Sequence, residues 1–295
     1  MVTRLDPKIF DATADVTWCA GCGDFAVLKA LKLALADLAI EQHQALVVSG
    51  IGCGSKLPDY MTVNGYMTIH GRPLPVATGV KLANPQMHVV VVNGDGDSYG
   101  IGGNHFVQAC RRNPDITQIV ENNQIYGLTK GQYSPTSDKG SITTTSPDGS
   151  IELAFNPMAV ALAGGATFIA RAFAGEPKHL AQLIAAGIQH RGYALIDVLQ
   201  PCVTFNRVNT YDWYRQRIYH LEDQDYDPTD REAAWAKAHE WEERIPLGIV
   251  YRAEGLPTYE DQVATLRGGS PVTRLVELAK NPRPEQYESL KDGFL

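Results

Sequence analysis

The sequence predicts an α/β protein: a mostly parallel sheet with helices on both faces, followed by an irregular C-terminal arm. Three observations predict it. Short apolar runs recur along residues 1–204, helical patterns separate them, and several runs stop at a glycine-rich turn. Residues 24–39 (DFAVLKALKLALADLA) space their apolar side chains as a helix does, with Asp24 as the candidate cap. Ala45–Ser49 reads as a buried strand ending at Gly50-Ile-Gly-Cys-Gly54. The same form recurs at His88–Asn93, Ile116–Glu121 and Ala194–Leu199, with helices expected at about 74–84, 102–112, 157–164 and 177–191. Beyond residue 204 charge, Tyr and Pro become more frequent. Residues 205–295 are therefore expected to be an arm packing on a partner or on the core, with helices only near 230–243 and 271–280.

Composition narrows the class. With 295 residues and 44% hydrophobic content, the chain suits one large domain with a sizeable core. A net charge of −7 argues against nucleic acid as the main partner, and an acidic protein partner would need a local basic patch. No stretch approaches the roughly 18–20 uncharged apolar residues of a membrane span. Residues 1–15 show no apolar signal region, so a cytoplasmic location without membrane attachment is expected. Five cysteines in such a protein favour metal binding or catalysis over disulfides.

Cys53, Asp95, Asn123 and Cys202 each fall just past the C-terminal end of an expected strand, the edge where open α/β sheets bind ligands. In Gly94-Asp95-Gly96-Asp97-Ser98 the glycines let backbone approach a phosphate, and Asp95 offers a hard oxygen to magnesium. Asn123 lies 28 positions later, after one helix and one strand, and so can return beside Asp95. The Ile125 carbonyl is the candidate third protein ligand. A dinucleotide fingerprint is the weaker reading, because Asp95 would repel a bare pyrophosphate. A ligand-free tight turn is the bland alternative. The spacing matches the signature of thiamine diphosphate enzymes.

Cys19-Ala-Gly-Cys22 alone is compatible with a redox dithiol, half a zinc site or half a cluster site. The isolated Cys53 and Cys202 suit a [4Fe–4S] cluster, which tolerates scattered thiolates; zinc or unrelated thiols remain open on spacing alone. Cys110 sits among apolar neighbours on an expected helix and reads as a small buried hydrophobe.

Six stretches together resemble the β subunit of 2-oxoacid:ferredoxin oxidoreductases. They are Trp18–Gly23, Gly52–Lys56, His70–Arg72 with Ala77–Pro85, Gly94–Asp97, Ile101–His105 and Asn122–Gln132. The likeness runs in order through roughly residues 15–205. Tyr126–Thr136, Phe205-Asn-Arg207 and Tyr211-Asp-Trp-Tyr214 look most like the 2-oxoglutarate branch; pyruvate or broad 2-oxoacid specificity is the alternative.

The resemblance implies cluster ligands Cys19, Cys22, Cys53 and Cys202, and magnesium ligands Asp95, Asn123 and the Ile125 carbonyl. It further implies cofactor contacts from Ile51, Gly52, Cys53, His70, Gly94, Gly96, Asp97, Gly127, Leu128 and Thr129. The implied reaction is coenzyme A-dependent oxidative decarboxylation to an acyl-CoA and carbon dioxide, with single electrons passing to ferredoxin, and reversal would fix carbon dioxide. An α subunit is implied too, in an αβ heterodimer or its dimer, since no glutamate of this chain can be assigned to activating the thiamine. Lys56, Arg72 and Lys130 are candidate cations for a distal carboxylate, against the reading that each is a solvated or structural charge. His70 is a candidate donor to cofactor or substrate, or a supporting histidine; Leu128 lines the pocket or packs the core. Non-redox thiamine chemistry and a zinc-stapled scaffold are the rival classes.

Overall fold

The structure is a computed structural model that describes residues 4–267, 269–280 and 285. In chain order its elements are α1 (Asp24–Asp37), β1 (Ala45–Ser49), β2 (Asn64–Met67), α2 (Pro73–Ala83), β3 (His88–Gly94), α3 (Gly103–Arg112) and β4 (Thr117–Asn122). A two-strand ribbon follows, β5 (Ile125–Tyr126) with β6 (Gln132–Tyr133), then α4 (Pro157–Gly164), β7 (Phe168–Phe173), α5 (Pro177–Gln189) and β8 (Ala194–Leu199). The C-terminal part adds α6 (Tyr211–Arg215), β9 (Ile218–His220), α7 (Arg231–Ala238), β10 (Ile245–Arg252), α8 (Tyr259–Gln262) and α9 (Pro271–Lys280).

Eight strands form one sheet in the order β2-β1-β3-β4-β8-β7-β10-β9. Every pairing is parallel except β10 on β7. The expected α/β architecture with a mostly parallel sheet is therefore present.

Alternation along β3 shows how the sheet is covered. Val90 and Val92 face a core with Leu31 and Leu35 of α1 and Ile184 of α5, whereas Val89 and Val91 face one with Phe106 of α3 and Leu162 of α4. Period-two side chains thus feed two helical layers, and each fully buried Val, Leu or Phe stabilises by about 1.5–3 kcal/mol. Local chemistry sets the helix ends. Asn156 caps α4 through the amide of Ala159 at 3.1 Å, Pro157 supplies a preset first φ, and Gly165 ends the helix at φ 90.

Boundaries match the sequence reading for β1, β8 and α4, and differ by a few residues for α1, α2, α3, α5, β3 and β4. The helix expected near 230–243 is shorter, starting where Asp230 accepts from the amides of Glu232 and Ala233. Strands β2, β7, β9 and β10 were not expected. The last two join the C-terminal segment to the sheet. Among the described residues no helix is long and apolar enough to cross a membrane.

The sheet order has one consequence for chemistry. Strands β1, β3, β4 and β8 are consecutive neighbours. The turns after them hold Cys53, Asp95, Asn123 and Cys202, all on one edge.

Candidate active site

A cleft with a cavity of about 160 Å³ opens at that edge. Its wall comprises Ile51–Gly54 after β1, His70, Gly94–Asp97 after β3, Glu121, Asn123 and Ile125–Thr129. Every expected cofactor-contacting residue is in this lining. The structure thus brings together residues 51–53, 70, 94–97, 123, 125 and 127–129.

Asp95 is buried, 1% exposed. Its Oδ2 accepts from the hydroxyls of Ser134 and Thr136 at 2.5 Å each, and its Oδ1 from the Gly96 amide at 2.9 Å. Burial pushes its carboxyl up to about 6, against the pull of those donors, and nearby Asp197 pushes the same way. A buried carboxylate beside hard oxygen donors fits a divalent ion. Asn123 offers its carboxamide oxygen, which accepts from the Ile125 amide at 3.2 Å. Gly96 is needed for a close approach: a Cβ there would fall 2.1 Å from the Tyr126 ring.

Asp97, which lines the cleft, also ties several turns together. Its Oδ1 accepts from the amides of Ile51 (2.9 Å) and Gly71 (2.8 Å) and meets His70 Nδ1 at 2.6 Å, while Oδ2 accepts from Asn93 Nδ2 at 2.9 Å. This buried carboxylate ties the turns after β1 and β2 to the turn after β3. Asp97 accepts the Nδ1–H of His70 and so fixes the orientation of its ring.

All four candidate cluster cysteines line a second cavity, of about 80 Å³, together with Lys56, Asp24 and Gln200. Cys53, Asn123 and Gly127 belong to both linings, so the two cavities adjoin. A Cβ on Gly127 would meet Cys53 Sγ at 3.6 Å and Cys202 Sγ at 3.7 Å, which leaves the sulfurs of these two distant residues facing one gap. No disulfide uses them. Burial and the Asp24 carboxyl push the Cys22 thiol well up and the Cys53 thiol to about 11, and iron would reverse this by taking up thiolate. Four convergent thiols around one cavity fit a [4Fe–4S] cluster. Cys110 is fully buried in the apolar layer beneath α3, as expected.

The candidate cations divide. Lys56 lies at the cysteine cavity, its Nζ bonded to Thr17 Oγ1 at 3.2 Å. The cleft lining includes neither Arg72, at the start of α2, nor Lys130, exposed in a left-handed turn at φ 77. Leu128 lines the cleft and is 45% exposed, so it is not core packing.

Sequence reasoning missed several residues here. Asp24 does not cap α1, where Gly23 occupies the cap position without a side-chain bond. Its carboxyl is buried instead against Cys22 and Glu121. Neither Asp24 oxygen nor Glu121 Oε1 meets an N–H or hydroxyl donor among the described residues. Burial raises Asp24 to about 6 against the pull of Cys22, Glu121 and Lys56, and burial together with the Asp24 charge raises Glu121 well above the carboxylate range, so the pair holds a proton between the two cavities. Gln200, fully buried, bonds Asn123 through its oxygen and Cys22 through its nitrogen. Its place two residues before Cys202 was the only available signal.

Comparison with known proteins agrees with this geometry. Residues 42–198 match the family model described as thiamine pyrophosphate enzyme, C-terminal TPP binding domain, and residues 202–268 match the model for the C-terminal part of the pyruvate ferredoxin oxidoreductase beta subunit. The chain is 49% identical over 257 residues to 2-oxoacid:ferredoxin oxidoreductase 1, subunit beta, of Aeropyrum pernix, covering 84% of this chain and 81% of that one. It is 46% identical over 188 residues to 2-oxoglutarate synthase subunit KorB of Methanocaldococcus jannaschii, covering 64% and 70%. A solved 2-oxoglutarate:ferredoxin oxidoreductase from Magnetococcus marinus, with 2-oxoglutarate, coenzyme A and succinyl-CoA bound, superposes with a TM-score of 0.86. It is 38% identical, over 93% of this chain and 96% of that one.

Proposed function

The chain belongs to the β subunits of 2-oxoacid:ferredoxin oxidoreductases, and from that premise we propose that it forms half of an active site for coenzyme A-dependent oxidation of 2-oxoglutarate. The observation that carries the reading is the pair of adjoining cavities, one lined by Gly94–Asp97, Asn123 and Ile125 and the other walled by four cysteines. When bound, thiamine diphosphate supplies an electron sink for loss of carbon dioxide from a 2-oxoacid, and a [4Fe–4S] cluster takes up single electrons.

This chain's residues hold and orient those groups. Asp95, Asn123 and the Ile125 carbonyl are the proposed magnesium ligands, and Gly94 and Gly96 admit the diphosphate. Cys19, Cys22, Cys53 and Cys202 are the proposed cluster ligands. Asp97 fixes the His70 ring, which we assign as a hydrogen-bond donor to cofactor or substrate. An α subunit supplies the activating glutamate. Exposed apolar side chains at the rim support such a partner: Ile51 (40%) and Leu128 (45%) at the cleft, Ile69 (75%) and Ile101 (55%) nearby. Residues 205–295 we assign to an arm on the domain of residues 1–204, contacting that partner; residues 1–3, 268, 281–284 and 286–295 of this division lie outside the described residues. Ferredoxin is the proposed electron acceptor, and low-potential electrons would let the reaction run toward carbon dioxide fixation. A cytoplasmic αβ heterodimer, or its dimer, follows from this scheme.

Arg72 and Lys130 are the proposed cations for the distal carboxylate in the assembled enzyme. Replacing either raises KM for 2-oxoglutarate more than for pyruvate, and equal effects on both acids refute the assignment. The whole reading is tested by EPR of the anaerobically purified complex with its partner after adding 2-oxoglutarate and coenzyme A. A reduced-cluster signal that needs both additions, with about four irons per chain, supports it. Stoichiometric zinc without iron overturns it in favour of a stapled scaffold.

A further inference from the structure

The side chain of Gln200 joins the two cavities, and its orientation is forced from one end. The Ile125 amide can only donate, so the Asn123 atom it meets at 3.2 Å is the oxygen. Asn123 therefore turns its Nδ2–H toward Gln200, and the atom that accepts at 2.8 Å must be Gln200 Oε1. Gln200 is then obliged to direct Nε2–H at Cys22 Sγ, 3.2 Å away. The relay is locked in place. Gln200 is fully buried, its own amide bonds the Asn122 carbonyl at 3.0 Å, and a Cβ on Gly23 would come within 2.7 Å of its Cγ. The Asn123 carbonyl is held independently by Asn206 Nδ2 at 3.0 Å.

We infer that Gln200 couples occupancy of the divalent-metal and diphosphate site to the reduction potential of the cluster held by Cys22. The inference rests on the functional reading above and adds a link that it does not contain. A donor to a ligating sulfur stabilises the more negative, reduced cluster and so raises its potential. A cation on the Asn123 oxygen draws density from that amide and strengthens its N–H toward Gln200 Oε1. Gln200 is polarised in turn, and its N–H to sulfur strengthens, as in any cooperative hydrogen-bond chain. A loaded diphosphate site thereby makes the cluster a better electron acceptor, while an empty one leaves it harder to reduce. Gln200 is a positioning residue here, since it acts through Asn123 and Cys22.

The test is an EPR redox titration of the complex with its partner subunit, with and without magnesium and thiamine diphosphate, in wild type, Gln200→Leu and Gln200→Met. Methionine keeps the length of the side chain and serves if leucine prevents assembly. The wild-type potential should rise on loading. Both variants should titrate lower by about tenfold in the reduction equilibrium, about 59 mV for one electron, and should lose the response to loading. Variant potentials equal to wild type with four irons retained, or an equal response to loading in all three proteins, overturn the inference alone. A wild-type complex without a cluster signal overturns both it and the functional reading.

Discussion

Replacing Asp97 separates a structural tie from a cofactor contact. Its carboxylate is 2% exposed and serves four donors: two backbone amides, the His70 ring and Asn93 Nδ2. Asp97→Ala strands them. An orphaned buried donor costs about 1–3 kcal/mol, and the donors of Gly71 and Asn93 are buried while those of Ile51 and His70 are partly so. The sum is roughly 3–9 kcal/mol, with the low end applying if water enters the space left behind. Asp97→Asn keeps one oxygen for the three donors on the Oδ1 side but turns an NH₂ toward Asn93 Nδ2. Asn93 cannot flip to answer it, because its Oδ1 accepts from Gln118 Nε2 at 3.0 Å. One donor–donor confrontation and the loss of charge assistance cost about 2–4 kcal/mol. Urea unfolding of the assembled protein should therefore rank wild type, the asparagine variant and the alanine variant in falling order. Both variants should lose turnover as the turns at residues 51 and 70 come apart. An alanine variant within about 1 kcal/mol of wild type would refute the reasoning.

Other expectations follow from single contacts. Cys202→Ser should lose iron and sulfide on analysis, whereas Cys110→Ala should keep both and lose only about 1–2 kcal/mol of stability by denaturation, since it trims a packed apolar side chain. Gly96→Ala places a methyl in the Tyr126 ring and should weaken thiamine diphosphate binding at least about tenfold by calorimetry, or about 1.4 kcal/mol. Glu121→Gln removes one acid from the pair with Asp24. Both acids have folded values raised above their unfolded ones, so the folded wild type binds the extra proton and loses stability as pH rises from about 4 through about 6 and beyond. The variant should show a flatter profile, with its thermal midpoint above wild type at pH 8 and the gain shrinking by pH 5, worth up to about 3 kcal/mol.

The legible parts of this molecule are those whose signal is local. Strands β1 and β8 and helix α4 could be bounded from the sequence because an apolar run meets glycine or proline at its end. Strand β7 was hidden by Arg171, a charge in the middle of the sheet whose counter-charge, Asp197, sits on the neighbouring β8 at 3.6 Å. Pro246 and Gly248 broke the pattern of β10, and β2 is an exposed edge strand with no apolar face to read. The placement of Cys53, Asp95, Asn123 and Cys202 on one rim was legible because each stands just past a strand end, where topology fixes position. Lys56, Arg72 and Lys130 were not, because the direction of a long side chain on a turn depends on backbone such as the left-handed residue at 130. Asp24 shows the same limit: an acid at a helix start reads as a cap, and only the tertiary neighbours Cys22 and Glu121 reveal it as a buried proton holder.

Proximity of the two cavities follows from strand order rather than from any one motif. Neighbouring strands stand about 4.8 Å apart, so the ends of β1, β3, β4 and β8 span roughly 15 Å along the rim. Four turns confined to that length cannot hold separate, well-spaced sites. Cys53 and Asn123, which serve the cysteine cavity and the diphosphate cleft together, are the necessary result. Had β8 been placed at an edge of the sheet, Cys202 would lie several strands from Cys53 and no single cluster could use both. The crossover that seats β8 beside β4 is thus what brings Cys202 to the same rim as Cys53, Asp95 and Asn123.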